Sequence, residues 1–295
     1  MLNRIARILV IAAGIVALLP ALAIAQTDDA PQSGYVDVND LHMYYEIHGE
    51  ATDAPPLVML HGAYMNIDFM GEILPSLAET RQVIAVELQG HGRTNDIDRP
   101  ITYEDMADDV FALIQELGLE SVDVVGYSMG GDTALQIAIR HPEVVNKLIV
   151  ISASYQLDGL YPDLIDSISM MMPEVFAGSP IETEYQRLSP NPEAFATLVE
   201  KLVALDGTDF DWSADVAAIE VPTLIIMGDN DAVTLQHMID MYGLLGGGVM
   251  GDLHGLPDSQ LAIIPGATHT AILLRVNLLT PIITDFLDGI TYSLF

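Results

Sequence analysis

The five residues Gly126-Tyr127-Ser128-Met129-Gly130 constrain what this chain can fold into more than any other segment. They stand between a strand-like run at residues 122–125 and a helical pattern that starts near Gly130 and stops before His141-Pro142. A strand that turns directly into a helix leaves no room for side chains beside the central residue, which is why glycine flanks it. The turn lifts the Ser128 hydroxyl to the carboxyl edge of a sheet and sets it at a helix N-terminus, where developing negative charge is favoured. A bare GxSxG pattern is common; its strand-turn-helix setting is what makes Ser128 the expected nucleophile.

The rest of the chain supplies a sheet for that turn. Residues 57–60 and 83–86 are short, wholly apolar runs, as strands covered on both faces require. Residues 35–38 and 41–48 read as two early strands joined by the hairpin turn Asn39-Asp40. Thr102 caps a helix with Glu104 and Asp105 in its first turn, and Gly118 ends it. Further strands are expected at 148–151, 223–227 and 261–264, and helices near 235–245 and 278–287. This alternation predicts an α/β fold, a mostly parallel central sheet with helices on both faces. Residues 155–212 break the rhythm with five prolines and helical patterns without buried strands, so a helical lid is expected there. The core then has a first part at 26–154 and a second at 213–295. Met170-Met171-Met172 either lines an apolar pocket or fills the lid's own core. The segment from Gly246 to Gly255 is either a surface loop or a border of the pocket.

Residues 1–25 have the form of an export signal: Arg4 and Arg7, an apolar run at 8–19, Pro20, then the small-x-small site Ala23-Ile24-Ala25. The rival is an uncleaved anchor, for which the apolar run is short. Cleavage implies a periplasmic or secreted protein with no stable membrane anchor. The chain has no cysteine, so disulfides and thiol chemistry are absent. Its 42 acidic residues against 10 basic ones give a net charge of −32, which argues against nucleic acid or an anionic membrane as partner. The oligomeric state is not legible in the sequence.

A serine hydroxyl needs a neighbouring base. Of eight histidines, His269 follows a strand and the turn Pro265-Gly266, so it leaves the sheet at the edge where Ser128 emerges. His61 and His91 adjoin glycines and read as loop-bracing groups. His42, His48, His141, His237 and His254 read as surface or capping residues. The acid that fixes the imidazole tautomer is expected from Gly228-Asp229-Asn230-Asp231. Asp231 lies far enough past the strand to turn toward His269, while Asp229 ties down the turn. Two backbone N–H groups would form an oxyanion hole: Met129, after the nucleophile, and Ala63, after His61-Gly62. No histidine or acid cluster has metal-ligand spacing, and this chemistry requires no cofactor.

With these residues in place the chain resembles the α/β-hydrolase superfamily, over about residues 34–290. The resemblance rests on His61-Gly62, Gly90-His91-Gly92-Arg93-Thr94, the elbow at Ser128, Gly228-Asp229-Asn230-Asp231 and Pro265-Gly266-Ala267-Thr268-His269, in that order. Members usually carry Asp where Glu87 stands, a bracing position. The resemblance implies a serine hydrolase acting on small to medium apolar carboxylic esters, with a small-molecule ester or lactone as partner. A lactonase, a carbon–carbon bond hydrolase and a cofactor-free perhydrolase or haloperoxidase-like enzyme remain as alternatives using the same three side chains, and a ligand-binding protein on this scaffold as a further one.

Overall fold

The computed structural model describes residues 31–168 and 170–292; the expected export signal lies outside the described residues. Eight strands form one sheet: β1 (Gln32–Val38), β2 (Leu41–His48), β3 (Leu57–Leu60), β4 (Val83–Val86), β5 (Val122–Tyr127), β6 (Val145–Ile151), β7 (Thr223–Asn230) and β8 (Gln260–Thr268), in the order β1-β2-β4-β3-β5-β6-β7-β8. β2 pairs antiparallel with β1 and β4, and the remaining pairs are parallel. Every residue of β3, β4 and β5 is buried, as a parallel sheet covered on both faces demands. Asn39 and Asp40 both take left-handed backbone, at φ 48° and 68°, the geometry of a two-residue hairpin.

The helices between strands are α1 (Ile73–Ala78), α2 (Tyr103–Glu116) and α3 (Met129–Arg140). They are followed by α4 (Pro162–Ile168), α5 (Pro180–Leu188), α6 (Phe195–Asp206), α7 (Ser213–Val216), α8 (Leu235–Leu244), α9 (Gly251–His254) and α10 (Val276–Leu287). One apolar core joins a sheet face to α2, α3 and the helices of residues 155–212. The other joins the opposite face to α1 and α10. Thr102 caps α2 as expected, its side chain accepting from the Asp105 N–H at 3.0 Å.

Residues 155–212 leave and rejoin the core at one point. The Trp212 N–H donates to the Tyr155 carbonyl at 2.8 Å, and the Leu157 N–H to Phe210 at 3.1 Å. Just beyond this clamp the inserted segment is tied to the loop after β7, because the Thr234 N–H donates to Gly159 (2.8 Å) and the Tyr161 N–H to Ala232 (3.2 Å).

One reading of the strands is corrected. Pro265-Gly266, expected as a turn after a strand, lies inside β8, which runs on to Thr268. A register shift between Gly228 and Asn230 in β7 absorbs the kink, and Asp229 Oδ1 accepts the N–H groups of Gly266 (2.8 Å) and Ala267 (3.2 Å). The glycine-rich segment 246–255 joins the end of α8 to the start of β8. A parallel strand starts at the amino edge of the sheet, opposite Ser128, so this segment is a surface connection away from that residue.

Candidate active site

β5 ends at Tyr127 and α3 begins at Met129, so Ser128 alone makes the turn, with φ 54° and ψ −127°. A methyl group at Gly126 would stand 2.0 Å from the Gly130 carbonyl oxygen, and one at Gly130 would stand 2.5 Å from those of His61 and Leu60. Only hydrogen fits at either position.

His269 follows β8, its backbone held by the Tyr127 hydroxyl, which donates to the His269 carbonyl at 2.8 Å. Its Nε2 lies 3.0 Å from Ser128 Oγ and its Nδ1 2.8 Å from Asp231 Oδ1. An ionised Asp231 is acceptor-only, so Nδ1 carries the proton and Nε2 is left to accept from Ser128. The Asp231 side chain is inaccessible to solvent. Burial works to raise its pKa, but hydrogen bonds from His269, Ser152 and the Gly228 N–H prevail and hold it down at about 2. The structure thus brings Ser128, His269 and Asp231 together and turns Asp229 away, onto β8.

The backbone of Gly62 passes over the Ser128 side chain, since a Cβ at Gly62 would lie 3.2 Å from Ser128 Cβ. Among the described residues neither the Ala63 nor the Met129 N–H meets a hydrogen-bond acceptor. Two histidines brace this loop. His61 Nδ1–H donates to the Gly62 carbonyl (2.8 Å) and its Nε2 accepts the Leu88 N–H (3.2 Å). His91 Nδ1–H donates to Gln89 (2.9 Å) and its Nε2 accepts the N–H of Tyr64 (3.2 Å). Burial lowers their pKa values to about 3 and about 4, so both stay neutral and fixed in tautomer.

His237 was expected at the surface and is buried instead. It stacks on Tyr155 at 4.0 Å between centroids and accepts the Tyr155 N–H at 3.2 Å. The bare Cα of Gly159 makes room, since a Cβ there would meet the ring at 2.6 Å. The three methionines divide their roles: Met171 packs inward, its sulfur 3.9 Å from the Tyr64 hydroxyl, while Met170 and Met172 are exposed. Tyr64, next to Ala63, carries left-handed backbone (φ 62°) and packs its ring, tilted by 32°, against Phe176 of the inserted segment at 4.9 Å between centroids.

Sequence reasoning also passed over Ser152 and two carboxyls. Asp132, in the first turn of α3, accepts the Ser154 N–H at 2.7 Å, and burial raises its pKa to about 8. Asp206, at the end of α6, is raised to about 7 by burial, and both carboxyls interact with Tyr103. A carboxyl whose folded pKa is raised binds its proton more tightly when folded, so its contribution to stability is lost as pH rises. Below pH 6.5 the buried neutral histidines work the other way, so the melting temperature is expected to fall between pH 6.5 and 8. Asp132→Asn, which keeps an acceptor for Ser154, should flatten that fall; calorimetry across the range measures it. Among the described residues no three His, Asp or Glu side chains are grouped as a metal would need.

The sequence model of a family described as alpha/beta hydrolase fold matches residues 55–203. Over 112 residues the chain is 36% identical to a Haemophilus influenzae protein named "Putative esterase/lipase", a match spanning 37% of this chain and 39% of that protein. It is 26% identical over 277 residues to 2-hydroxy-6-oxononadienedioate/2-hydroxy-6-oxononatrienedioate hydrolase 2 of Pseudomonas putida, covering 84% of this chain and 92% of the relative. The crystal structure of carboxylesterase CesB from Bacillus subtilis superposes with a TM-score of 0.69 at 18% identity, over 97% of this chain and 98% of that one. At that identity the likeness speaks for the fold alone.

Proposed function

The chain belongs to the α/β-hydrolase fold family, and from that premise we propose that it is a serine hydrolase cleaving carboxylic esters of small to medium apolar substrates. The observation that carries this reading is the unbroken line Ser128 Oγ, His269 Nε2, His269 Nδ1, Asp231 Oδ1, with links of 3.0 and 2.8 Å. His269 Nε2 takes the hydroxyl proton as Ser128 Oγ bonds to the ester carbonyl carbon. The carbonyl oxygen becomes an oxyanion facing the N–H groups of Ala63 and Met129, fixed dipoles at a helix N-terminus and a braced loop. Collapse expels the alkoxide, which leaves as alcohol with the proton from Nε2. Water then gives a proton to Nε2, adds to the acyl carbon and releases the acid, and the proton returns to Ser128.

Tyr64, Phe176 and Met171 give the inserted segment an aromatic and thioether contact beside Ala63, which supports an apolar acyl group. Lactones open by the same steps, without a departing alcohol. A second reading is hydrolysis of a 2-hydroxy-6-oxononadienedioate-like compound, the substrate in the Pseudomonas relative's name. A fluorophosphonate probe and a p-nitrophenyl ester series test the first. One adduct per chain, on the peptide containing Ser128, with ester turnover lost in proportion, is the expected outcome. Turnover that persists in a fully labelled enzyme, or an enzyme neither labelled nor active on any ester, overturns it.

A further inference from the structure

Among the described residues five non-glycine positions take left-handed backbone: Asn39, Asp40, Tyr64, Ser128 and Ser152. The first two belong to a hairpin turn that requires this geometry. The other three are Ser128 itself, Tyr64 beside Ala63, and Ser152 against Asp231. Strain of this kind persists only where the surrounding structure imposes it, and it concentrates at functional sites. Ser128 makes the elbow and Tyr64 follows Ala63, but the chemistry described so far gives Ser152 no task.

Ser152 sits immediately after β6, with φ 54° and about 1% of its surface exposed. Its N–H donates to the Ile226 carbonyl of β7 at 2.8 Å. Its Oγ–H donates to Asp231 Oδ2 at 2.6 Å. The same carboxylate oxygen accepts the Gly228 N–H at 3.0 Å, while Oδ1 accepts the Ala232 N–H at 2.7 Å and faces His269. Among the described residues Ser152 and His269 are the two side chains that donate to this carboxylate, and they approach opposite oxygens. We infer that Ser152 is a positioning residue for the reaction proposed above: its hydroxyl locks the rotation of the Asp231 carboxylate, so that Oδ1 stays aimed at His269 Nδ1.

The inference rests on the serine-hydrolase reading and adds a fourth member behind it. A rotated carboxylate would let the imidazole swing and lengthen the path from Nε2 to Ser128. The hydroxyl also draws negative charge toward Oδ2. Without it the charge on Oδ1 grows, and the imidazolium form of His269 is favoured. Loss of the hydroxyl therefore moves the acid limb of the kcat/KM profile to higher pH, because His269 must be neutral to act as base.

The strained backbone supplies a discriminating variant. Glycine is at ease at this φ and alanine is not, so Ser152→Gly relieves strain as it removes the hydroxyl, whereas Ser152→Ala only removes it. Both are expected to lose about 10- to 100-fold in kcat with little change in KM, a size typical of small misplacement of a catalytic group. Both should shift the acid limb upward, while Ser152→Gly melts at a temperature equal to or above that of Ser152→Ala. If folded Ser152→Gly keeps wild-type kcat and pH profile, the inference is overturned. A fall in kcat with an unmoved acid limb also overturns it, since that assigns Ser152 to general integrity. Ser128→Ala measured alongside separates the two levels. Should it retain turnover, the serine-hydrolase reading itself fails; should it be inactive beside a wild-type-like Ser152→Gly, the role of Ser152 alone is lost.

Discussion

Ser128→Ala is expected to lower kcat for p-nitrophenyl esters by about a million-fold, and His269→Ala by about as much. The double variant should fall no further, because the hydroxyl and the base act as one unit. Without the base the serine stays protonated, and without the serine the base has no nucleophile to activate. A residual rate above that in water should survive in all three variants, since the Ala63 and Met129 N–H groups and the bound geometry remain. The fold should be nearly indifferent. Alanine occupies the same left-handed backbone as Ser128, and the hydrogen bond to His269 lost with the hydroxyl is worth about 1 kcal/mol. Steady-state rates and thermal melts on the three variants check both halves. Losses that multiply in the double variant would mean that Ser128 and His269 serve separate steps.

The sheet was legible because its signals are local. The runs Leu57–Leu60 and Val83–Val86 can be little else than strands buried on both faces, and the Asn39-Asp40 pair states its turn type in its own residues. His269 could be picked from eight histidines because its position relative to a strand's carboxyl end depends only on strand direction. What stayed hidden depends on residues far away in the sequence. His237 lies on a helix with a mixed face, and its burial is decided by Tyr155 and Gly159, about eighty positions earlier. Asp132 and Asp206 read as ordinary solvated acids, since nothing near either announces that both are buried beside Tyr103. Ser152 is a serine after a strand, a commonplace in sequence. Its left-handed φ and its reach to Asp231 exist only once β6 and β7 are paired. Pro265-Gly266 carries a turn signal, yet a bulge in the partner strand lets a kinked strand continue through it.

Asp231→Asn is expected to reduce kcat by about 10⁴-fold at neutral pH, through the wrong imidazole tautomer and not through lost structure. The wild-type carboxylate accepts from Ser152 and Gly228 on one oxygen, and from Ala232 and His269 on the other. An asparagine has a single oxygen for these two sets of donors, and with that oxygen held by Ser152 and Gly228 the Ala232 and His269 side meets its NH2 group. Its NH2 group then faces His269 and obliges Nδ1 to accept, which puts the proton on Nε2, where it blocks transfer from Ser128. The same substitution has a signature in stability. Asp231 titrates at about 2 in the folded protein against an ordinary 3.8. Its stabilising contribution, about 2 kcal/mol for a shift of this size, is present above pH 3.8 and lost as pH falls through 2. The stability gap between wild type and Asp231→Asn should therefore narrow from pH 4 to pH 2, and denaturant melts at fixed pH would show it. An Asp231→Asn enzyme with wild-type kcat at neutral pH would mean that the tautomer of His269 is set elsewhere. Within hydrogen-bond reach of Nδ1 the structure offers Asp231 Oδ1 for that task.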